Sequence, residues 1–240
     1  LVWSYRLDAD ASGDGGTGVI VAGGRVYVPL ANTHSILALD ADTGRYLWEF
    51  QDPNTRYKAT ACYHDGRLFV WTRKRDGTGE ALALDASTGK PLWRRPFIGK
   101  ILFDGRASLS LHDGKLFAVE GRDEAPVVVA LDEKTGREVW SAALDKIPGL
   151  SAGACSVADG RVFVGARGGD FSNGTGAISG ALVALSALDG KVLWRRESLV
   201  PFRNLSSDGQ ALLCTQKFPD KIHMLSTQTG ETLWSVNMKG

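Results

Sequence analysis

Short apolar runs recur along the chain, and each follows a pair of turn-forming residues. Arg25-Val26-Tyr27-Val28 comes directly after Gly23-Gly24, and Arg161-Val162-Phe163-Val164 directly after Asp159-Gly160. Asp65-Gly66, Asp113-Gly114 and Asp208-Gly209 mark the same step elsewhere. Asp-Gly between apolar runs predicts a type I′ hairpin, because both central residues must take positive φ. The runs are apolar at successive positions instead of alternating, so the strands they predict are covered on both faces.

A second pattern lies downstream of each run. ALDADTGRYLW (38–48), ALDASTGKPLW (83–93), ALDEKTGREVW (130–140), ALSALDGKVLW (184–194) and MLSTQTGETLW (224–234) align without gaps. Each copy places a Gly four residues before a Trp: Gly44 and Trp48, Gly89 and Trp93, Gly136 and Trp140, Gly190 and Trp194, Gly230 and Trp234. Trp3 lies 45 residues before Trp48 and heads the series. Self-similarity at such a period decides the architecture. Each unit reads as four strands: A ends at the Asp-Gly turn, B is the apolar run, C is the Ala-Leu-Asp segment and D carries the Trp. The Asp-x-x-Thr-Gly segment closes the C–D hairpin, its Asp accepting backbone N–H groups and its Gly taking the left-handed position. Units with two apolar faces must stack face to face around an axis, which predicts an all-β propeller of four-stranded antiparallel blades. The chain holds five complete blades and one lone D strand at about 1–7. Trp3, Trp48, Trp93, Trp140, Trp194 and Trp234 are expected to pack blade against blade.

These residues carry a resemblance. Asp40-x-x-Thr43-Gly44 with Trp48, and its four relatives, is similar to the tryptophan-docking motif of the PQQ-like propeller repeat. That repeat occurs in quinoprotein alcohol dehydrogenases, in the outer-membrane assembly lipoprotein BamB and in sensor domains of bacterial kinases. The likeness covers essentially the whole chain and implies a parent ring of seven or eight blades. Residues 1–240 are therefore expected to be a single propeller domain, incomplete at one or both ends. Ser186 and Ser226 replace the Asp in copies four and five, and Asp189 replaces the Thr in copy four, so weaker turns are expected there. The resemblance also implies a bacterial protein of the periplasm or the cell exterior.

Composition adds little to this picture. The 29 Gly suit a chain of many tight turns, and 28 Lys+Arg against 27 Asp+Glu leave +1, which offers no global field for nucleic acid. No apolar run reaches the ~20 residues of a membrane span. Cys62, Cys155 and Cys214 are far apart and read as small buried hydrophobes. His34, His64, His112 and His223 have no metal-ligand spacing.

Variable loops on a rigid scaffold are where binding concentrates. The A–B and C–D turns are uniform, so the D–A connections (50–58, 96–106, 143–151, 197–203) and B–C connections (30–36, 71–80, 120–126, 166–180, 214–220) form the face to watch. Trp71-Thr72-Arg73-Lys74-Arg75 sets the one tryptophan outside the period beside three cations, as an aromatic and guanidinium patch would. Arg167, Asp170 and Asn173 belong to a long Gly-rich loop that lacks the spaced carboxylates of a calcium loop. Arg203 stands near the start of a strand A. These seven residues, Trp71, Arg73, Arg75, Arg167, Asp170, Asn173 and Arg203, are the candidate ligand contacts.

No catalytic motif is present. The leading expectation is a non-enzymatic binding or scaffolding propeller that holds a peptide or protein on its loop face. The alternative is a fragment of a PQQ-dependent quinoprotein dehydrogenase, and a third is another enzyme working at the channel mouth. Dehydrogenases of the resembling type hold PQQ with a vicinal disulfide and a calcium site. The chain has no adjacent cysteines, so no cofactor is expected, neither PQQ nor Ca²⁺ bound tightly by these residues alone.

Overall fold

A computed structural model describes residues 2–6, 18–30, 34–53, 55–56, 61–74, 76, 78–98, 109–122, 125–144, 151–168, 179–198, 202–216 and 221–238. Among these, every regular element is a strand, and the strands form five antiparallel sheets. The first sheet comprises β1 (Ile20–Ala22), β2 (Arg25–Leu30), β3 (Ser35–Asp40) and β4 (Tyr46–Gln51). The second comprises β5 (Thr55–Arg56), β6 (Cys62–His64), β7 (Arg67–Lys74), β8 (Gly79–Asp85) and β9 (Pro91–Pro96); β5 and β6 both pair with β7 and together make its strand A. The third is β10 (Ser110–His112), β11 (Lys115–Arg122), β12 (Ala125–Asp132) and β13 (Glu138–Ala143). The fourth is β14 (Ser151–Ala158), β15 (Arg161–Gly168), β16 (Ser179–Ser186) and β17 (Val192–Ser198). The fifth is β18 (Phe202–Ser207), β19 (Ala211–Gln216), β20 (Lys221–Ser226) and β21 (Thr232–Asn237). Two compact units contain them: Leu1–Ile101 holds the first two sheets and Leu102–Gly240 the other three.

The hairpins are built as their residues require. Asp65, Asp113 and Asp159 have φ of 44°, 49° and 47°, and the glycines after them 72°, 70° and 67°. The fifth turn departs from this expectation. Asp208 is absent from the positive-φ set, and its Oδ1 instead accepts the N–H groups of Gln210 and Ala211, both at 2.9 Å. That carboxylate opens the connection to three residues, 208–210. In the C–D turns, Asp40 Oδ1 accepts from Thr43 N (2.9 Å) and Thr43 Oγ1 (2.7 Å). Asp85 and Asp132 repeat both bonds with Thr88 and Thr135. Ser226 Oγ receives the equivalent N–H of Thr229 at 3.3 Å, a longer bond to a neutral acceptor.

The middle strands are buried on both faces, as their unbroken apolar runs predict. Leu68, Phe69, Val70, Leu82, Ala83 and Leu84 are all fully buried, and so are Leu116, Phe117, Val162, Phe163, Leu182 and Ala184. In each sheet one cross-strand row joins a B residue, a C residue and the Trp of strand D. The rows are Tyr27–Ala38–Trp48, Phe69–Ala83–Trp93, Phe117–Ala130–Trp140 and Phe163–Ala184–Trp194. Alanine in the middle lets the flanking rings meet across it, tilted and 5.8 to 6.1 Å apart. The last sheet has Leu213–Met224–Trp234 instead.

A register shift precedes every one of these tryptophans: Ala38 faces Trp48 but Leu39 faces Tyr46, so Leu47 has no partner. Leu92, Val139, Leu193 and Leu233 are skipped in the same way. Such a bulge re-aims the following side chain and bends the edge strand away from further pairing. It also explains why Leu92, Val139, Leu193 and Leu233 stand half exposed.

The re-aimed ring lands on the next sheet. Trp48 Nε1–H donates to the carbonyl of Ala86 (3.2 Å), and a Cβ added at Gly89 would lie 2.5 Å from the indole. Trp140 makes the same contact with Ala187 O and Gly190, and Trp194 with Thr227 O and Gly230. Trp3 reaches Ala41 O (2.9 Å) and Gly44, and packs on the side of the first sheet formed by Leu30, Leu37 and Leu39. It does so without a ladder: residues 2–6, expected as a lone D strand, are assigned no strand. Trp234 alone among the six is substantially exposed, at 47%, against 8% for Trp48.

Gly89→Ala is expected to cost about 2–5 kcal/mol, from left-handed strain and a clash with Trp48. Gly66→Ala has the same φ of 72° but open space around it, and is expected to cost only about 1–2 kcal/mol. Trp48→Ala should cost about 3–5 kcal/mol, whereas Trp234→Ala should stay near surface values of about 0.5 kcal/mol. Urea unfolding of the four variants checks the ranking. Acid should weaken the turns as well. Hydrogen bonds from Thr43 to Asp40, from Ser87 and Thr88 to Asp85, and from Thr135 to Asp132 hold these carboxyls below their ordinary range. Lowered folded pKa values mean stability that is full above about pH 4 and lost as pH falls through the folded values. Asp→Asn at all three positions should flatten that dependence in pH-resolved melting curves.

Candidate functional site

Within each sheet the two kinds of turn and the two kinds of loop fall at opposite ends. The C–D connections are five residues long in all five copies, 41–45, 86–90, 133–137, 187–191 and 227–231. The B–C connections, at the other end, differ: 31–34, 75–78, 123–124, 169–178 and 217–220. They are also shorter than the sequence suggests, because the B–C ladders continue through Arg73↔Gly79, Arg122↔Ala125 and Gly168↔Ser179.

That extension moves Trp71 from a loop into β7. Its side chain is 2% exposed, and its ring centre lies 4.0 Å from that of Phe97. The guanidinium of Arg95 stands 5.9 Å from the Phe97 ring centre. Trp71 is thus seated on an aromatic ring 26 positions downstream, and the guanidinium lies on that second ring, away from the sequence neighbours of Trp71. Arg73 lies in β7 opposite Gly79 and Arg56, Arg167 in β15 opposite Ser151 and Gly180, and Arg203 in β18 at the register shift between Phe202 and Leu205. For these three only the backbone is described, which sets them at the loop ends of their sheets. Arg75, Asp170 and Asn173 lie outside the described residues.

Charged groups that carry no periodic signal gather at the same ends. Arg94 Nη1 donates to Glu80 Oε1 (2.7 Å) and Asp52 Oδ2 (2.9 Å), with its guanidinium 5.5 Å from the Phe50 ring centre. Glu80 is 5% exposed. In the third sheet Arg122 bridges the fully buried Glu120 (3.0 Å) and Glu138 (2.6 Å), and the two carboxylates keep its pKa raised against desolvation. Sequence reasoning passed over both clusters, since their members lie 2 to 42 residues apart and only strand register joins them. Each cluster matches a cation with two carboxylates at short range, so it reads as an internal brace.

The thiols are quiet. Burial pushes Cys155 and Cys214 up to about 12, which keeps both protonated at neutral pH. Burial lowers the pKa of His223 and favours its neutral form. Among the described residues no three His, Cys, Asp or Glu side chains converge in a metal-binding arrangement, and no helix is long and apolar enough to cross a membrane.

Comparison with known proteins defines the class. The profile of the family described as outer membrane protein assembly factor BamB matches residues 1–70, 33–208 and 124–240. The chain belongs to this PQQ-like repeat family, and its fold is that of the β-propellers. The BamB structure from Moraxella catarrhalis superposes with a TM-score of 0.55 at 20% identity, over 94% of this chain and 76% of that one. Quinohemoprotein alcohol dehydrogenase from Comamonas testosteroni superposes with a TM-score of 0.67 at 17% identity, over 96% of this chain and 44% of that one. In sequence, the dehydrogenase subunit of the quinone alcohol dehydrogenase of Gluconobacter oxydans is 30% identical over 91% of this chain and 24% of its own length. Quinohemoprotein alcohol dehydrogenase ADH-IIG of Pseudomonas putida is 26% identical over 88% of this chain and 23% of its own. The chain therefore spans about a quarter of the length of these curated relatives.

Arg122→Ala would leave the carboxylate of Glu120 inside the sheet without its cation, and is expected to destabilise by about 3–5 kcal/mol. Adding Glu120→Leu should recover most of that loss, whereas Glu138→Ala alone should cost under about 1 kcal/mol. Denaturant midpoints of the three variants test the assignment.

Proposed function

We propose that this chain is a binding and scaffolding propeller that holds a peptide or protein partner on the loop-bearing ends of its sheets. One observation carries the reading: five similar antiparallel frames share a five-residue C–D turn at one end and differ in B–C connection length at the other. Uniformity at the turn end supplies docking between blades, and variation at the loop end supplies recognition. Arg73, Arg75, Arg167 and Arg203 give that end guanidinium groups suited to carboxylates of a partner chain. Trp71, buried against Phe97, holds the end of β7 in place instead of offering an open ring. Likeness to a protein described as an outer membrane protein assembly factor supports a protein partner, and a periplasmic or extracellular setting.

A second reading keeps a specific observation in its favour. The curated relatives that align over most of the chain are quinone-dependent alcohol dehydrogenases, so the residues would form part of a PQQ enzyme whose remaining parts lie elsewhere. Here the buried carboxylates Glu80 and Glu120 are already engaged by Arg94 and Arg122, and the chain has no adjacent cysteines to hold the quinone.

The readings separate in one set of titrations. On the binding reading, Arg→Ala at 73, 75, 167 and 203 together weakens capture of an immobilised acidic peptide at least tenfold without shifting the melting temperature. Trp71→Ala alone should lower the melting temperature. Unchanged capture by the fourfold variant would overturn this assignment of the face. A saturable low-micromolar complex with PQQ and Ca²⁺ would establish the dehydrogenase reading in its place.

A further inference from the structure

Arg94, Arg122, Arg161 and Arg195 each meet a carboxylate at 2.6 to 3.3 Å. Arg196 is held differently. Its Nη1 donates across the seam between the fourth and fifth sheets, to the Gly230 carbonyl (3.0 Å) and to Thr232 Oγ1 (2.7 Å). Both acceptors are neutral, so the guanidinium is fixed in place with its charge uncompensated. Among the described residues, no carboxylate makes an ion pair with Arg196 or with Lys221.

Strand register brings His223 and Lys221 to the same seam. Across β19, β20 and β21 it aligns Cys214, His223 and Ser235 in one row, and Gln216, Lys221 and Asn237 two residues further along. The Cys214 side of the sheet packs on the fourth sheet, because Leu212, Cys214 and Leu225 share a cluster with Phe163, Leu182 and Ala184. The ladder partners of His223 and Lys221 are all uncharged at neutral pH, so neither strand beside them supplies a counter-charge. Among the described residues, the titratable groups that face His223 are Arg196 of β17, Cys214 of β19 and Lys221 of β20. Burial keeps Cys214 a thiol. Burial first, then Arg196 and Lys221, lower the pKa of His223. The three basic side chains are half-buried and follow one another along the seam: Arg196 tied at the turn side, His223 in the middle, and Lys221 opening β20 at the loop side.

We propose that Arg196, His223 and Lys221 form a docking track for an acidic peptide segment, laid in extended form along the seam of the fourth and fifth sheets. The spacing is that of a chain. Lys221 and His223 stand two residues apart on one strand, about 7 Å, which is also the repeat of alternate side chains in an extended peptide. Carboxylates on alternate residues of the partner would meet the two in register, and Arg196, anchored from the neighbouring sheet, serves the turn-side end. A carboxylate beside His223 favours the charged imidazole, so docking takes up a proton there. Carboxylates stay ionised down to about pH 4–5, whereas an unperturbed His charges below about pH 6.5, so docking is strongest in mildly acid solution between these limits. This rests on the reading of a peptide or protein partner proposed above, and adds to it a line of contact and a pH dependence.

The test titrates the full chain with an acetylated, amidated peptide of alternating glutamate and serine. Imidazole proton signals are followed by NMR, and His223 is assigned by the signal lost in His223→Gln. Saturating peptide should raise the His223 pKa by at least about 0.5, and affinity should rise by about threefold or more from pH 7.5 to pH 5.5. His223→Gln should remove that pH dependence. Lys221→Gln, a conservative change, should weaken binding at least about threefold at an unchanged melting temperature. A His223 titration that the peptide leaves unmoved, or an affinity untouched by Lys221→Gln, would overturn the proposal. So would an equal rise in pKa with inorganic phosphate at the same ionic strength, which would assign the track to small anions. The His223 signal reads the seam, whereas capture by the fourfold variant at Arg73, Arg75, Arg167 and Arg203 reads the loop-bearing ends, so failure of either reading is seen separately.

Discussion

The fold hangs on the seat of one indole over one glycine. A glycine in the left-handed region of a C–D turn has no side chain, so the tryptophan of the preceding sheet settles directly onto backbone. Its N–H then finds a carbonyl that the turn itself leaves unpaired, which satisfies the polar edge of an otherwise buried ring. Three separate features serve this seat. The Asp or Ser at the head of the turn fixes the loop, the bulge before the tryptophan rotates the ring outward, and the alanine of strand C clears a path to the aromatic residue of strand B.

Because the same seat recurs, the sheets carry their burial in common. Strands B and C have no solvent face in sheets that are covered on both sides, and their unbroken apolar runs follow from that. The cost of such a design is that an end sheet is left with a bare face. Trp3 and the residues around it shield the first sheet, while the outer face of the fifth keeps the exposed Trp234, Val236 and Met238. Function is pushed to the ends of the strands, where length can vary without disturbing the seat. Buried Arg–carboxylate braces at those ends, Arg94 with Glu80 and Arg122 with Glu120, hold the long strands together. They leave recognition to the side chains beyond them.

Much of this was legible in the residues alone. The five Asp/Ser-x-x-x-Gly segments, the hairpin glycines and the phase of the tryptophans specify four-stranded units and name the docking ring, because these features depend on φ and on spacing within one hairpin. The Asp208 turn escaped that reading: its pair looks like the other hairpins, yet the Asp208 carboxylate caps two N–H groups and opens the loop. Trp71 escaped it too. Its basic neighbours suggest a loop patch, but the B–C ladder runs past it and Phe97 takes its ring.

What the sequence determined by itself is therefore the repeat, its turns and the family to which the chain belongs, all set by local chemistry read at fixed offsets. Only the tertiary structure decided which turns Trp3, Trp48, Trp140 and Trp194 cover, which carboxylates pair with Arg94 and Arg122, and that Trp234 stands substantially exposed. Those outcomes depend on which sheet lies against which, and on contacts between residues up to 59 apart in the chain, as in the bond from Tyr27 in the first sheet to the Ala86 carbonyl in a turn of the second. Spacing along the chain does not encode such partners; packing selects them, because each ring and charge goes to the place where burial leaves it a matching group.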